Sequence, residues 1–490
     1  MPVDYQHKEY TKNIKKWQLI RDADEGSIAV KSRSKGGTVN TINGLKGTAY
    51  LPAPDPTDLS DENKERYAAY VDRASYVNFT AQTKEGMLGM VFRKKTSLQL
   101  DSSIDYMESN VNGGGLTADQ FIKDLTAEVL CLGRFGLLVD YPQADQGLTE
   151  AQVKAQELRA SIIPYESESI INWKDENIGG IKKLSMVVLR EPFPVQSEDG
   201  FEETMEDYHR VLLLKNGVYV QNIYDESGSL VSWATGGIDD NGDDEFISDI
   251  IPLKSNGETW SEIPFQFVGS TNNDSAIDKA PLYDIADINI AHYRNSADFE
   301  ESAFMVGQPT PAIAGLTQSW VNENYPNGVK FGSRTALLLP ESGSAVLLQA
   351  SPNQMPQMGM QDKEKQLIKL GARLIQDQGG VETAEAAKIR FAGQNSKIAS
   401  ILVNVESAME QVFMWAGEFM GATSEPEVEI NKELYDKTAD PQMIMAQIQL
   451  MDRAVIAKKD LRDNLRKSNL IDPDRSDDEI DTESESVDIF

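Results

Sequence analysis

The chain has 490 residues, 40% of them hydrophobic and 26% charged, with a formal net charge of −31. Its length suggests roughly two to four structural units, and its apolar fraction suffices for real cores. Only 47 Lys and Arg face 78 Asp and Glu, which argues against nucleic-acid binding through a broad basic surface, because phosphate neutralisation needs cations.

Residues 1–59 are polar and rich in Gly, Pro and Lys ("KSRSKGGTVNTINGLKG", "LPAPDPTD") and read as an extended arm with little core. Ser60 is a helix N-cap with Asp61 and Glu62 in the first turn. One helix is expected from there through "ERYAAYVDRASYVNFTAQTKEGMLGMVF", with Tyr67, Tyr70, Ala74 and Val77 on one face. "TADQ" at Thr117–Gln120 is a capping box, "FIKDLTAEVLCLG" continues it as a buried helix, and "RFGLLVDYP" leaves it as a strand. From about residue 160 to 270 the apolar period becomes two, and Asn216-Gly217 marks a hairpin turn between "HRVLLLK" and "VYVQNIYD". "EIPFQFVG" is a further strand. Helix returns over about 275–305. A segment of short apolar runs with Pro and Gly follows to residue 352, then a second helix from about 354 to 376.

The stretch "LIKLGARLIQDQGGVETAEAAKIRF" sets two helical patterns on either side of paired glycines. A plain helix end and a loop that moves against a partner both fit it. Beyond it, a long helix runs from Thr383 to about Met420. Its residues Ile398, Leu402, Val405, Met409, Val412, Ala416 and Phe419 form a heptad-like stripe. Such a stripe serves either a core within one subunit or packing between subunits. Asp440 and Pro441 start another helix, "VIAKKDLRDNLRKSNLI" gives one more, and the acidic end, 471–490, reads as a solvated tail.

Little in the sequence speaks for catalysis. Phosphate-binding, dinucleotide, nucleophile-elbow and H-E-x-x-H motifs are absent. The single cysteine, Cys131, sits among apolar neighbours and reads as core. His7, His209 and His292 are too far apart for metal-ligand spacing, so no metal or cofactor is expected. The acidic stretch Asp239 to Glu245 is an incomplete calcium-loop pattern. No signal-length apolar run opens the chain, and no stretch of about 18 apolar residues occurs, so synthesis in a reducing cytoplasm is expected.

Against this acidic background Lys365, Lys369 and Arg373 lie at i, i+4 and i+8, with Leu367, Leu370 and Leu374 on another face. Lys388, Arg390 and Lys397 follow the glycine break. These cations are either a solvated face balanced by Asp362 and Glu364 or rungs that touch phosphates without holding them.

The order of parts resembles the portal proteins, or head–tail connectors, of tailed double-stranded DNA bacteriophages. The resemblance rests on "PLYDIADINIAHYRNSADFEES", the insert after it, "NQMPQMGMQDKEKQLIKLGARLI", "QDQGGVE" and the long helix, with "YVDRASYVNFTAQTKEGMLGMVFRKK" and "GRFGLLVDYP" upstream. It implies a mainly helical α+β subunit: arm (1–59), α/β wing (60–274), first stem helix (275–304), clip (305–352), second stem helix (353–376), tunnel loop (377–382), long wing helix with return strand (383–438), helical crown (439–470) and tail (471–490). It further implies a ring, usually of twelve subunits, at one capsid vertex of the virion, through which DNA is packaged and ejected. The implied partners are the terminase ATPase, the adaptor that replaces it, and the capsid and scaffold proteins. No catalysis and no membrane are implied. Gln376, Asp377, Gln378, Gly379 and Gly380 become the tunnel loop, and Lys365, Lys369, Arg373, Lys388 and Arg390 the candidate phosphate contacts. The competing readings are another phage head–tail structural protein, an adaptor or scaffold, or a carboxylate-based metal-dependent hydrolase.

Overall fold

The computed structural model describes residues 2–36, 40–142, 158–196, 201, 203–238, 244–307, 310–329, 337–348, 353–371, 384–432, 441–453, 455–467, 470–472 and 475–487. Contacts divide the chain into a large unit, Met1–Leu88 with Leu98–Val428, and a small one, Gly89–Ser97 with Glu429–Phe490.

The large unit begins with helix α1 (Lys8–Glu25) and the short α2 (Ser27–Ser32), which corrects the expectation of an extended arm. The reason is an apolar face set among lysines: Tyr10, Trp17, Ile20 and Ala23 recur at helical spacing and are all buried. His7 caps the helix by accepting from the Glu9 N–H, and its ring stacks on Trp173 at 4.0 Å. Next come α3 (Asp61–Arg73) and α4 (Phe79–Val91). Ser60 caps α3 as expected, accepting from the Asn63 N–H.

The single helix expected here is two, because polar groups of a later helix, Tyr283–Gly307, take over the backbone between them. Asn289 donates to the Val77 carbonyl at 2.8 Å and accepts from the Thr80 N–H at 3.1 Å. Ser296 accepts from the Ser75 N–H. Val77 consequently leaves the shared face and is 39% exposed.

After the short strand β1 (Ser97–Gln99) comes α5 (Ala118–Leu132). Thr117 accepts from the Gln120 N–H, while the Gln120 side chain turns to Asp124 instead of closing the reciprocal half of the box. Cys131 on α5 is buried, and burial pushes its thiol up to about 12. A three-stranded antiparallel sheet has the order β10–β2–β3, built from β2 (Arg134–Asp140), β3 (Ser161–Glu166) and β10 (Phe265–Gly269). A four-stranded antiparallel sheet follows chain order: β4 (Ile170–Ile178), β5 (Ile181–Gln196), β6 (Glu203–Lys215) and β7 (Val218–Tyr224). The β6–β7 turn is the expected Asn216-Gly217, with positive φ at both residues. β8 (Trp233–Ile238) and β9 (Asp244–Ile247) pair with each other.

One polar network ties the two larger sheets together. Arg210 on β6 reaches Asp140 on β2 at 3.0 Å, Glu191 on β5 at 2.8 Å and Gln221 on β7 at 2.9 Å. Tyr165 on β3 donates to the same Glu191. A second buried cation, Arg134, lies between the rings of Trp173 and Phe267 at 4.0 and 4.3 Å. Burial holds its pKa down to about 9 against the opposing pull of Asp274, Asp278 and Asp175, so it stays charged at neutral pH.

The chain continues through α6 (Tyr283–Gly307), β11 (Thr310–Ala314), α7 (Gln318–Asn324), β12 (Ser344–Leu348), α8 (Met355–Leu370) and α9 (Ala384–Met420), then the short β13 (Glu427–Glu429). α6 starts at Tyr283, eight residues later than the expected 275, because Pro281 disfavours helical backbone at the residue before it. α9 packs on α5, β2 and β10. Its whole heptad-like stripe, from Ile398 to Phe419, is at most 4% exposed. That stripe is core within one chain.

Asp101 binds the segment that follows α9. It accepts from the N–H and hydroxyl groups of Thr423 and Ser424 and from the Ser103 N–H. These bonds, that from Ser103 first, hold its carboxyl well below the usual range. The depressed value means the carboxylate stabilises the fold at neutral pH and loses that contribution as pH falls from about 4 toward the folded-state pKa. Asp101→Asn is therefore less stable than wild type at pH 7, with the gap closing as pH drops toward 2. Thermal unfolding across that range reads it, and a gap independent of pH would show that the charge contributes nothing.

The small unit holds α10 (Pro441–Asp452), α11 (Lys458–Lys467) and α12 (Asp477–Val487). Pro441 is the first residue of α10, as expected, while Asp440 lies outside the described residues. α12 shows that the acidic end is helical, while Asp478, Glu479, Asp481 and Glu483 are exposed, as a solvated end requires. Ser476 and Glu479 form a reciprocal capping box, with Asp477 and Asp478 in the first turn. Arg462 and Arg466 of α11 pair with Asp481 and Asp477. The acids therefore have helix-end and ion-pair partners within the unit.

Candidate functional site

α6 and α8 pack along one another in opposite directions, since His292 meets Glu364 at 3.3 Å while Asn295 faces Gly359. The first half of α6 belongs to the core. Ile285, Asn289, Ile290, His292, Tyr293, Ser296 and Ala297 are buried, and burial stops there. Past Ala297 the helix is held by polar contacts: Tyr70 donates to Asp298 at 2.6 Å and Arg73 pairs with Glu301. α8 has a single buried residue, Leu367.

Between them, β11 and β12 form an antiparallel ribbon from Thr310↔Leu348 to Ala314↔Ser344. This agrees with a small strand-bearing insert, to which the structure adds α7, capped by Thr317. All five residues of β12 are exposed. Val346, Leu347 and Leu348 are 58%, 59% and 56% exposed, and Met355 and Met358 at the start of α8 are 71% and 55%. A two-stranded ribbon is marginal alone in water, and apolar groups open on both faces mark a surface for association. The run "SAVLLQA" signals a strand, but only the structure reveals that β12 is left open among the described residues.

Lys365 and Lys369 are exposed on α8, and Lys365 leans on Asp362 at 3.4 Å. Leu370, expected on the apolar face with Leu367, is 41% exposed. α8 ends at Leu370, six residues short of the expected 376. Gly371 supplies the positive φ of 123° and its N–H closes on the Leu367 and Ile368 carbonyls. Arg373, Leu374 and the sequence Gln376, Asp377, Gln378, Gly379 and Gly380 lie outside the described residues. Lys388 and Arg390 fall within α9. Of the acidic stretch 239–245, only Asp244 and Glu245 are described, in β9.

Among the described residues no group of three or more His, Cys, Asp and Glu is placed to hold a metal ion. No helix there is long and apolar enough to cross a membrane. Two hollows among these residues, one under Phe413 and Gly417 and one between Tyr70 and Glu301, measure about 170 Å³ each, below the roughly 300 Å³ of small-ligand pockets.

A family described as "Domain of unknown function (DUF4055)" matches residues 281–420, the span from the start of α6 to the end of α9. No curated protein matches the chain. Among solved structures, the chain is similar to one in "Virion of native gene transfer agent (GTA) particle" at 13% identity, over 78% of this chain and 86% of that one, with a TM-score of 0.38. It is similar to chains in "Neck of empty GTA particle computed with C6 symmetry" (12%, 79% and 89%, 0.38) and "Neck of native GTA particle computed with C12 symmetry" (12%, 79% and 89%, 0.36). Superpositions this loose leave function to be argued from the residues.

Proposed function

We propose that the chain is the portal subunit of a tailed double-stranded DNA bacteriophage. Copies of it form a ring at one capsid vertex of the virion, DNA enters and leaves through the central channel, and the chain itself performs no catalysis. The terminase ATPase docks on the insert between α6 and α8, the head–tail adaptor later takes its place, and capsid and scaffold proteins contact the α/β part.

The observation that carries this reading is the succession of α6, an apolar uncovered ribbon, α8 and α9. A stem pair bearing a ribbon that is unstable alone needs neighbouring copies to cover it. The stripe of α9, by contrast, is already spent on the core of its own chain. Adaptors in the resembled family are usually shorter and lack a helix–insert–helix of this kind, which favours the portal reading. On this proposal Lys365 and Lys369 face the channel or a neighbouring copy, and the tunnel-loop role of Gln376–Gly380 rests on sequence order.

Native mass and negative-stain images of the purified chain test the proposal. A ring of about a dozen 54.3 kDa subunits with a central hole is expected. A stable monomer that stays monomeric with scaffold protein added would overturn it.

A further inference from the structure

The α1 helix carries a charge pattern opposite to that of the chain. Residues 8–16 hold Lys8, Lys12, Lys15 and Lys16 against Glu9 alone, in a protein where acids outnumber bases 78 to 47. Tyr10, Trp17 and Ile20 turn inward, and the four lysines are exposed. Lys8, Lys12 and Lys16 follow at steps of four residues, each rising about 6 Å, with Lys15 beside them.

One acid, Glu9, is taken up within the row itself, which leaves three of its four lysines, and the other acids around it turn elsewhere. Glu9 pairs with Lys12 at 3.2 Å. Glu128, Glu166 and Glu168 all turn to Arg21, further along α1. Asp22 is buried against Arg33 and Tyr50, Asp24 holds Lys84, and Asp175 holds Lys182. Among the described residues no carboxylate pairs with Lys8, Lys15 or Lys16.

We infer that this face of α1 is a binding site for the sugar–phosphate backbone of double-stranded nucleic acid, read without regard to sequence. Lysine ammonium groups are point charges suited to phosphate oxygens, and contacts to phosphate carry no base sequence. The net charge of −31 does not forbid it. At physiological salt, charges beyond about 8 Å are screened, so the local row decides contact. The inference stands apart from the ring reading, because it needs only α1 on its own chain.

The test is fluorescence anisotropy of a labelled 30-base-pair duplex titrated with the full-length protein at 50 and 200 mM salt. Three phosphate contacts, from Lys8, Lys15 and Lys16, give a slope of log affinity against log salt of about −2.7, roughly a fortyfold loss between those salts. The variant K8Q/K12Q/K15Q/K16Q, altered only at exposed positions, loses that binding and its salt slope while its circular dichroism stays that of wild type. The variant K365Q/K369Q keeps the α1-dependent component whether or not rings form. Wild-type binding by the fourfold variant overturns the inference, as does no binding by the wild type at 50 mM salt. Displacement of the duplex by poly-glutamate at equal charge concentration also overturns it, assigning the face to an acidic protein instead.

Discussion

Trp17→Ala lowers stability by about 3–5 kcal/mol, the cost of emptying a fully packed aromatic site. Trp17 is 2% exposed and meets Tyr10 edge-on at 5.9 Å, on a helix that packs against α2, α5 and α6. The truncation empties a packed position on a helix whose partners include α6, more than 250 residues away in sequence. Urea unfolding followed by circular dichroism, at matched protein concentration because assembly shifts apparent stability, shows a clearly lower midpoint. A midpoint equal to wild type would return residues 1–59 to the role of a passive arm.

On the ring proposal, the double change Val346→Glu and Leu348→Glu leaves the folded subunit intact and abolishes the proposed assembly. Residues two apart on a strand share a face, and both are already more than half exposed. Within one chain the new carboxylates stay in water, and surface changes of this kind stay within about 0.5 kcal/mol. In a ring whose neighbours cover the ribbon, each carboxylate would be taken out of water without a partner, a cost of several kcal/mol per copy. Analytical ultracentrifugation then reports monomers with wild-type circular dichroism. Rings of undiminished stability would place the association surface elsewhere.

Those two variants also mark where the sequence was legible and where it was not. Periodicity found α5, the Asn216-Gly217 hairpin, the insert and α9, because each carries a strong local signal: a cap, a turn dipeptide, an alternation or a sustained stripe. It missed α1, where four lysines dilute an apolar face of four residues. It merged α3 and α4, because the break between them is imposed by Asn289 and Ser296 from two hundred residues away. The acidic end reads as tail by composition, yet "SDDE" is a capping box whose acids are matched by arginines of α11. In the candidate site, the position of Lys365 and Lys369 on a helix was readable. The openness of β12 and, among the described residues, the lack of carboxylate partners around Lys8, Lys15 and Lys16 are properties of tertiary surroundings, which no local pattern encodes.

The placement of α9 also sets a clock on synthesis. The sheet β10–β2–β3 is finished when Gly269 has left the ribosome, but the apolar stripe that covers it ends at Phe419. At about 5–20 residues per second, the 150 residues between take roughly 8–30 s. Throughout that interval the nascent chain holds a completed sheet with one oily face still open. Each subunit is therefore most prone to off-pathway sticking just before its own last core helix arrives, and a slow codon run between residues 270 and 420 would lower its soluble yield without altering the finished protein.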